Sequence, residues 1–202
     1  MDSTRFDQLA ATWDDNPTRV ALTKAVAHGI METVPLSPDW TALEYGCGTA
    51  ALSFLLSAYL RTITAADASE GMLAQVEKKL AGTGVHNITP VRMDLERDAA
   101  GPDRYDFICN SMVLHHVTDT AKLVSAFASV LVSGGWLAIT DLCKEDGSFH
   151  PDMTVPHHGF EPAELAALLT AAGFCAPAWR TIHAINRNGR DYPVFLLTAQ
   201  RA

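Results

Sequence analysis

Ala42-Leu43-Glu44-Tyr45-Gly46-Cys47-Gly48-Thr49-Ala50-Ala51-Leu52 reads as a strand, a tight turn and a helix start in one short stretch. The apolar run ends at two glycines separated by one residue, and helix-forming residues come at once. Glycine at 46 and 48 permits the turn and lets a ligand lie against the main chain, because there is no side chain in the way. The helix after the turn presents free N–H groups and the positive end of its dipole to negative ligand groups. Many nucleotide-binding folds share such a turn, so residues further along the chain decide its meaning.

Downstream, apolar segments alternate with amphipathic ones. Strands are expected at 42–45, 62–66, 88–93, 105–110 and 136–140, with helices at 50–60, 71–80 and 119–131 between them. Segment 105–110 is a mostly apolar run of the kind buried on both faces of a sheet. This alternation implies parallel strands with right-handed crossovers. A polar loop at 142–160 leads to a helix at 162–172 closed by Gly173. Two last strands, 175–185 and 192–200, are joined across Asn188-Gly189, a hairpin signal. The fold class is therefore α/β: a Rossmann-like, doubly wound, mostly parallel seven-stranded sheet with a C-terminal antiparallel hairpin.

Upstream, Phe6, Leu9 and Trp13 stand at helical spacing within 1–17, and an amphipathic helix is expected from Thr18 to about Met31. Pro35 and Pro38 break the chain before the first strand. With no repeat, linker or low-complexity segment, residues 1–202 read as one domain: an N-terminal helical region at 1–35, a core at 40–142 and a loop at 142–160.

Composition limits the partners. The net charge of −8 disfavours a broad phosphate-binding surface, so no nucleic acid is expected. No apolar run reaches the roughly 18 residues of a membrane helix, and the acidic N-terminus has no signal-peptide core. Cys47, Cys109, Cys143 and Cys175 form no CxxC pair and read as reduced thiols. A cytoplasmic protein, monomeric or homodimeric, is the expectation.

In open α/β sheets, ligands bind beyond the carboxyl ends of the strands. Those ends carry the glycine loop, Asp67, Asp94, Asn110 and Asp141. Asp67, 21 residues after Gly46, is placed to bind the two hydroxyls of a ribose.

Together these motifs resemble the class I S-adenosylmethionine-dependent methyltransferases, and within them the branch containing ubiquinone/menaquinone-biosynthesis and other small-molecule methyltransferases. Leu43 to Thr49 looks like the family's first motif and Asp67-Ala68-Ser69-Glu70-Gly71-Met72-Leu73 like its second. Met93-Asp94-Leu95 resembles the adenine segment, 105–110 strand four, and Leu131 to Leu137 the turn into strand five. Asn110-Ser111-Met112-Val113-Leu114-His115-His116-Val117 carries the likeness to the branch. One departure is Ala50, which stands where a glycine is common.

The resemblance implies binding of S-adenosylmethionine, with S-adenosylhomocysteine as product, and methylation of a small molecule at oxygen, nitrogen, sulfur or carbon. It implies that Glu44, Gly46, Cys47 and Gly48 shape the methionine side, Asp67 and Ala68 the ribose side, Met72, Asp94 and Leu95 the adenine side, and Asn110 the region beside the amino-acid moiety. Trp13 and Asp14 match an aromatic–acid pair that folds over the cofactor as part of a lid. Two other readings stand beside this one: a cofactor-binding protein without methyl transfer, and a nicotinamide-dependent oxidoreductase. Glu44 before the loop, Asp94 after strand three and the lack of a second domain weigh against the latter.

Five of the eight histidines gather in two segments of the same sheet edge, His115 and His116 after strand four, and His150, His157 and His158 after strand five. A direct displacement at a methyl carbon chiefly needs alignment, and a protic acceptor needs a base that works near neutral pH. These five are the candidates for base or acceptor pocket. Asp141, Glu145 and Asp146 with the loop histidines could ligate a metal, but the spacing matches no known ligand motif and no metal is expected. Arg19 and Lys24 could meet an acidic acceptor, and a solvated helix face is the plainer reading.

Overall fold

The computed structural model describes residues 3–202. It contains helices α1 (Ser3–Leu9), α2 (Pro17–Thr33), α3 (Ala51–Leu56), α4 (Glu70–Ala81), α5 (Thr120–Val130) and α6 (Pro162–Ala171). Its strands are β1 (Thr41–Tyr45), β2 (Thr62–Asp67), β3 (Ile88–Arg92), β4 (Tyr105–Ser111), β5 (Leu131–Leu142), β6 (Phe174–Arg187) and β7 (Arg190–Arg201). They form one sheet in the order β3-β2-β1-β4-β5-β7-β6. The first five strands run parallel, and β7 lies antiparallel between β5 and β6. The expected doubly wound sheet with its terminal hairpin is the observed one.

The pairing follows from period-two burial. On β4, Phe107 and Cys109 enter one core while Ile108 enters the other. The first core also takes Val26 and Ile30 of α2, Leu56 of α3, and Leu73 and Val76 of α4. The second takes Leu123 and Phe127 of α5 and Leu165 and Leu169 of α6, with Phe127 edge-on to Tyr45 at 5.5 Å. Phe107 and Phe127 are fully buried, each worth roughly 2–3 kcal/mol of transfer free energy. Strand order reverses between β1 and β4, and the crevice for a ligand opens beyond their carboxyl ends.

Local details differ from the sequence expectations for identifiable reasons. Helix α3 stops at Leu56 and passes into a 3-10 turn, Ser57–Tyr59, where Asn87 Nδ2 donates to the carbonyls of Ser57 (2.8 Å) and Leu60 (2.9 Å). Strand β5 starts at Leu131, five residues before the expected 136, and the pairing with β4 shifts register there to absorb Gly134 and Gly135. His115 and His116 sit in a 3-10 turn, Leu114–His116, and α5 starts at Thr120 under an Asp119 cap that accepts from Lys122 N at 2.9 Å. At the N-terminus the helical reading of 1–17 divides into α1 and a 3-10 segment, Ala10–Asp15; its first two residues lie outside the described ones. Asn16 then caps α2, accepting from Thr18 N at 2.9 Å, with Pro17 at the first helical position. No helix among the described residues is long and apolar enough to cross a membrane.

Candidate active site

The glycine loop is tied to the next strand before any ligand enters. Gly46 N and Cys47 N both donate to Ala66 O, at 2.8 and 2.9 Å. The two glycines have different reasons to be there. Gly46 has φ of +71°, and a Cβ on it would meet Val113 Cγ2 at 2.4 Å. Gly48 has φ of +54°, but its Cβ would stand in ordinary contact, 3.6 Å from Trp13 Nε1 and 4.0 Å from Met72 Sδ. Gly46 is bare for packing; Gly48 is bare toward the cleft.

Asp67, at the end of β2, accepts from Gly48 N and Ser69 N, each at 2.8 Å. Burial pushes its carboxyl up, and these backbone bonds pull it back. Glu44 is more deeply placed. Its Oε2 accepts from Ser53 N at 2.9 Å and from the Ser53 hydroxyl, so it closes the first turn of α3. Burial pushes its pKa up to about 7 despite the Ser53 bonds. Ala50, the departure from the expected glycine, takes the left-handed conformation, φ +57°.

The N-terminal segment crosses this loop. Asp14 accepts from Thr49 Oγ1 at 2.7 Å and pairs with Lys79 Nζ at 2.6 Å, and Lys79 donates to Thr49 O at 2.8 Å. Asp7 accepts from Ser69 Oγ at 2.5 Å and Gly71 N at 2.9 Å, which joins α1 to the start of α4. Trp13 lies over the loop with the Arg19 guanidinium 3.7 Å from its ring centroid. Phe6 packs on Trp13 at 5.9 Å and edge-on to His116 at 5.5 Å.

One cleft of about 510 Å³ runs from Gly46, Gly48, Asp67 and Met72 to His115, His116 and His150. At the histidine end the Asp141 carboxylate accepts from His115 N (3.2 Å), His115 Nδ1 (2.7 Å) and Leu142 N (2.7 Å). A carboxylate oxygen accepts and cannot donate, so this contact favours the His115 tautomer with its proton on Nδ1 and turns Nε2 away from Asp141. That Nε2 lies 3.2 Å from His150 Nε2, and the His115 and His116 rings are 4.0 Å apart. His116 is pushed down to about 2, first by burial and then by its neighbours His115, His150 and Arg5. Burial, His115, Arg187 and Arg5 push His150 down to about 4. Both rings are neutral at physiological pH. Met112, on the cleft wall just before this turn, has φ of +59°, a strained conformation for its residue type.

Of the residues singled out in the sequence, Trp13, Glu44, Gly46, Cys47, Gly48, Met72, Asp67, His115, His116 and His150 line this cleft. Ala68, Asp94, Leu95 and Asn110 do not. Asp94 Oδ1 accepts from Glu96 N at 3.1 Å, and Leu95 is a core residue whose N–H donates to Tyr45 Oη at 3.1 Å. Asn110 is fully buried, with neither side-chain polar atom partnered. His157 N donates to His115 O at 3.3 Å, and His158 lies 3.8 Å from Glu145, so this pair fastens the loop and does not line the cleft.

Sequence reasoning did not find Arg5, Phe6, Phe149 or Arg187, which come to the cleft from α1, the 142–160 loop and the end of β6. No local motif marks them.

A metal would find a different donor set from the acidic one considered in the sequence. One ring nitrogen from each of His115, His116 and His150 lies within 4.8 Å of the others. Tetrahedral zinc needs its nitrogens about 3.3 Å apart, so at least one ring would have to move. The charges of Arg5 and Arg187 already act on His150, against any added cation.

The methyltransferase-domain family matches residues 42–135. A ubiquinone biosynthesis O-methyltransferase of Nitrosomonas europaea is 27% identical over 164 residues, covering 74% of this chain and 65% of that protein. The chain is similar to the class I S-adenosylmethionine-dependent methyltransferases over that span. Another methyltransferase, the malonyl-[acyl-carrier protein] O-methyltransferase of Anoxybacillus flavithermus, is 31% identical over 149 residues, covering 72% of this chain and 53% of that protein. Several of these curated methyltransferases are thus longer, and the chain spans about half to two-thirds of their length. Among solved structures, the DhpI–SAH complex superposes with a TM-score of 0.75 at 19% identity, covering 98% of this chain and 94% of that one.

Proposed function

We propose that this chain binds S-adenosylmethionine across the glycine loop and transfers its methyl group to a small molecule seated against His115, His116 and His150. The observation that carries this reading is the single cleft joining the Gly46–Gly48 loop and Asp67 to the histidines. The bare Gly48 backbone between Trp13 and Met72, with Asp67 beside it, fits a nucleoside with an attached amino acid. When bound, the cofactor supplies an electrophilic methyl on a positively charged sulfur.

The chain's own residues do the rest. Asp67 and Met72 hold the nucleoside side, and Trp13 and Asp14 close over the loop as a lid. His115 Nε2, its tautomer set by Asp141, takes the proton of a hydroxyl, amine or thiol nucleophile. To reach it the acceptor displaces His150, whose Nε2 lies 3.2 Å from the same nitrogen.

Incubation with S-adenosylmethionine and a panel of phenols, amines and thiols, with S-adenosylhomocysteine measured, tests it. The expected result is product with at least one class, and a kcat lowered about 100- to 10,000-fold by His115→Gln and by Asp141→Asn at little change in cofactor affinity. Tight cofactor binding with no product from any class would favour the non-catalytic reading.

A further inference from the structure

The chain carries a net charge of −8, yet its cleft collects cations. Arg5, Arg19, Lys24 and Arg187 all line it. Arg92, Arg97, Arg180 and Arg190, outside the cleft, each stand against a carboxylate. None of the four cleft cations has such a partner among the described residues. The arginines donate to main-chain carbonyls instead: Arg5 to Asp152 O at 3.4 Å, Arg19 to Trp13 O at 3.2 Å, and Arg187 to Phe149 O. Each guanidinium has five N–H donors, so most have no partner among the described residues.

Like charges are held together here. Arg187 acts on Arg19 strongly enough to lower its proton affinity further once burial has lowered it, and Asp14 opposes both only in part. Asp14 is itself committed to Lys79 and Thr49. The other cleft acids are committed as well, Glu44 to Ser53 and Asp67 to Gly48 and Ser69. Asp141, below His115, holds three donors of its own.

The proposed cofactor does not relieve this crowding. It brings a sulfonium and an ammonium against one carboxylate, so it adds positive charge. Its single carboxylate needs one guanidinium, and Arg19, beside Trp13 at the lid, is free to serve it. Arg5 and Arg187 remain. Their charges converge on His150, and the Arg187 guanidinium is 4.8 Å from the ring centroid of Phe149, the residue before that histidine.

We propose that the methyl acceptor carries an oxyanion, a carboxylate or a phosphate ester, held by Arg187 and Arg5 at the histidine end of the cleft. Such a group accepts paired N–H donors from guanidinium in a way that a neutral acceptor cannot. The oxyanion is the handle that sets the nucleophile against His115. This inference deepens the proposed methyl transfer and rests on it.

Titration calorimetry on the full chain tests it, with and without saturating S-adenosylhomocysteine. Benzoate is compared with benzamide, and phenyl phosphate with phenyl methanesulfonate, so that the two arms separate carboxylate from phosphate recognition. At least one anion should bind about tenfold or more tightly than its neutral counterpart. Arg187→Gln should weaken that anion about tenfold, and Arg187→Lys should restore part of the loss because it restores the charge. Arg5→Gln should weaken it less, from a more exposed position. Equal binding of anion and neutral analogue, no binding of either anion, or unchanged anion affinity in Arg187→Gln overturns the proposal. S-adenosylhomocysteine binding, measured on the same protein, reports the cofactor reading separately.

Discussion

Val113 shows how a loop glycine can be fixed by a neighbour far along the chain. Its Cγ2 occupies the space a Cβ at Gly46 would need, 2.4 Å away. Gly46→Ala therefore combines left-handed strain with overpacking, and urea denaturation should show a loss of roughly 2–4 kcal/mol. Val113→Ala in the same chain should recover part of it; additive losses would show that the clash is not the cause. Glu44 makes a second prediction at this scale. Its carboxyl titrates near 7 in the folded chain against 4.5 for the ordinary group, so the folded state retains a proton between those values that the unfolded state has lost. Glu44 thus costs nothing below 4.5, and its contribution to stability falls as pH rises through 7, by on the order of 3 kcal/mol. Glu44→Gln should lack this part of the fall. Equal pH dependence in wild type and variant, measured by denaturation from pH 4 to 8 without cofactor, would contradict it. The loop Gly46-Cys47-Gly48 was legible in the sequence because its turn is local. The Ser53 cap on Glu44 was not, because a carboxylate before a glycine turn looks the same whether it faces a ligand or a helix end.

The N-terminal segment is an element held by two short clamps. Asp7 joins it to the start of α4, and Asp14 joins it to Lys79 and Thr49 over the glycine loop. If it closes over a bound cofactor, loosening one clamp should speed release without unfolding the domain. Asp14→Ala should raise the dissociation rate of S-adenosylhomocysteine about tenfold, read by stopped-flow fluorescence with Trp13 in the cleft, at unchanged far-UV circular dichroism. An unchanged rate would make the segment a fixed wall rather than a lid. The loop at 142–160 is an element of another kind. Cys143 bridges to Phe160, Glu145 N donates to His158 O at 2.8 Å, and Asp146 pairs with Arg190 at 2.7 Å. This pinching leaves His150 lining the cleft and His157 and His158 outside it. Sequence placed all three histidines on one loop at the right sheet edge. It could not sort them, because the sorting depends on where the loop's two arms cross.

At the scale of the molecule, ligand binding and folding are linked. A ligand that binds only the folded chain stabilises it by about 2.7 kcal/mol at a hundred times its dissociation constant, a rise in Tm of roughly 5–10 °C for a domain of this size. S-adenosylhomocysteine should produce that rise, and Asp67→Ala should remove most of it; an undiminished shift in the variant would displace Asp67 from the ribose. The sequence by itself determined the order of strands and helices, the parallel sheet with its terminal hairpin, the glycine loop and the acids at the strand ends. Those are local: two-residue and 3.6-residue periods and turn residues are written in adjacent positions. Only the tertiary structure decided which side chains share the cleft. It set Asp141 against His115, brought Arg5 and Arg187 to the cleft that His150 lines and left His157 and His158 outside it. Those meetings join α1, β5, the 142–160 loop and β6, and their geometry exists only after the sheet has closed and its loops have packed.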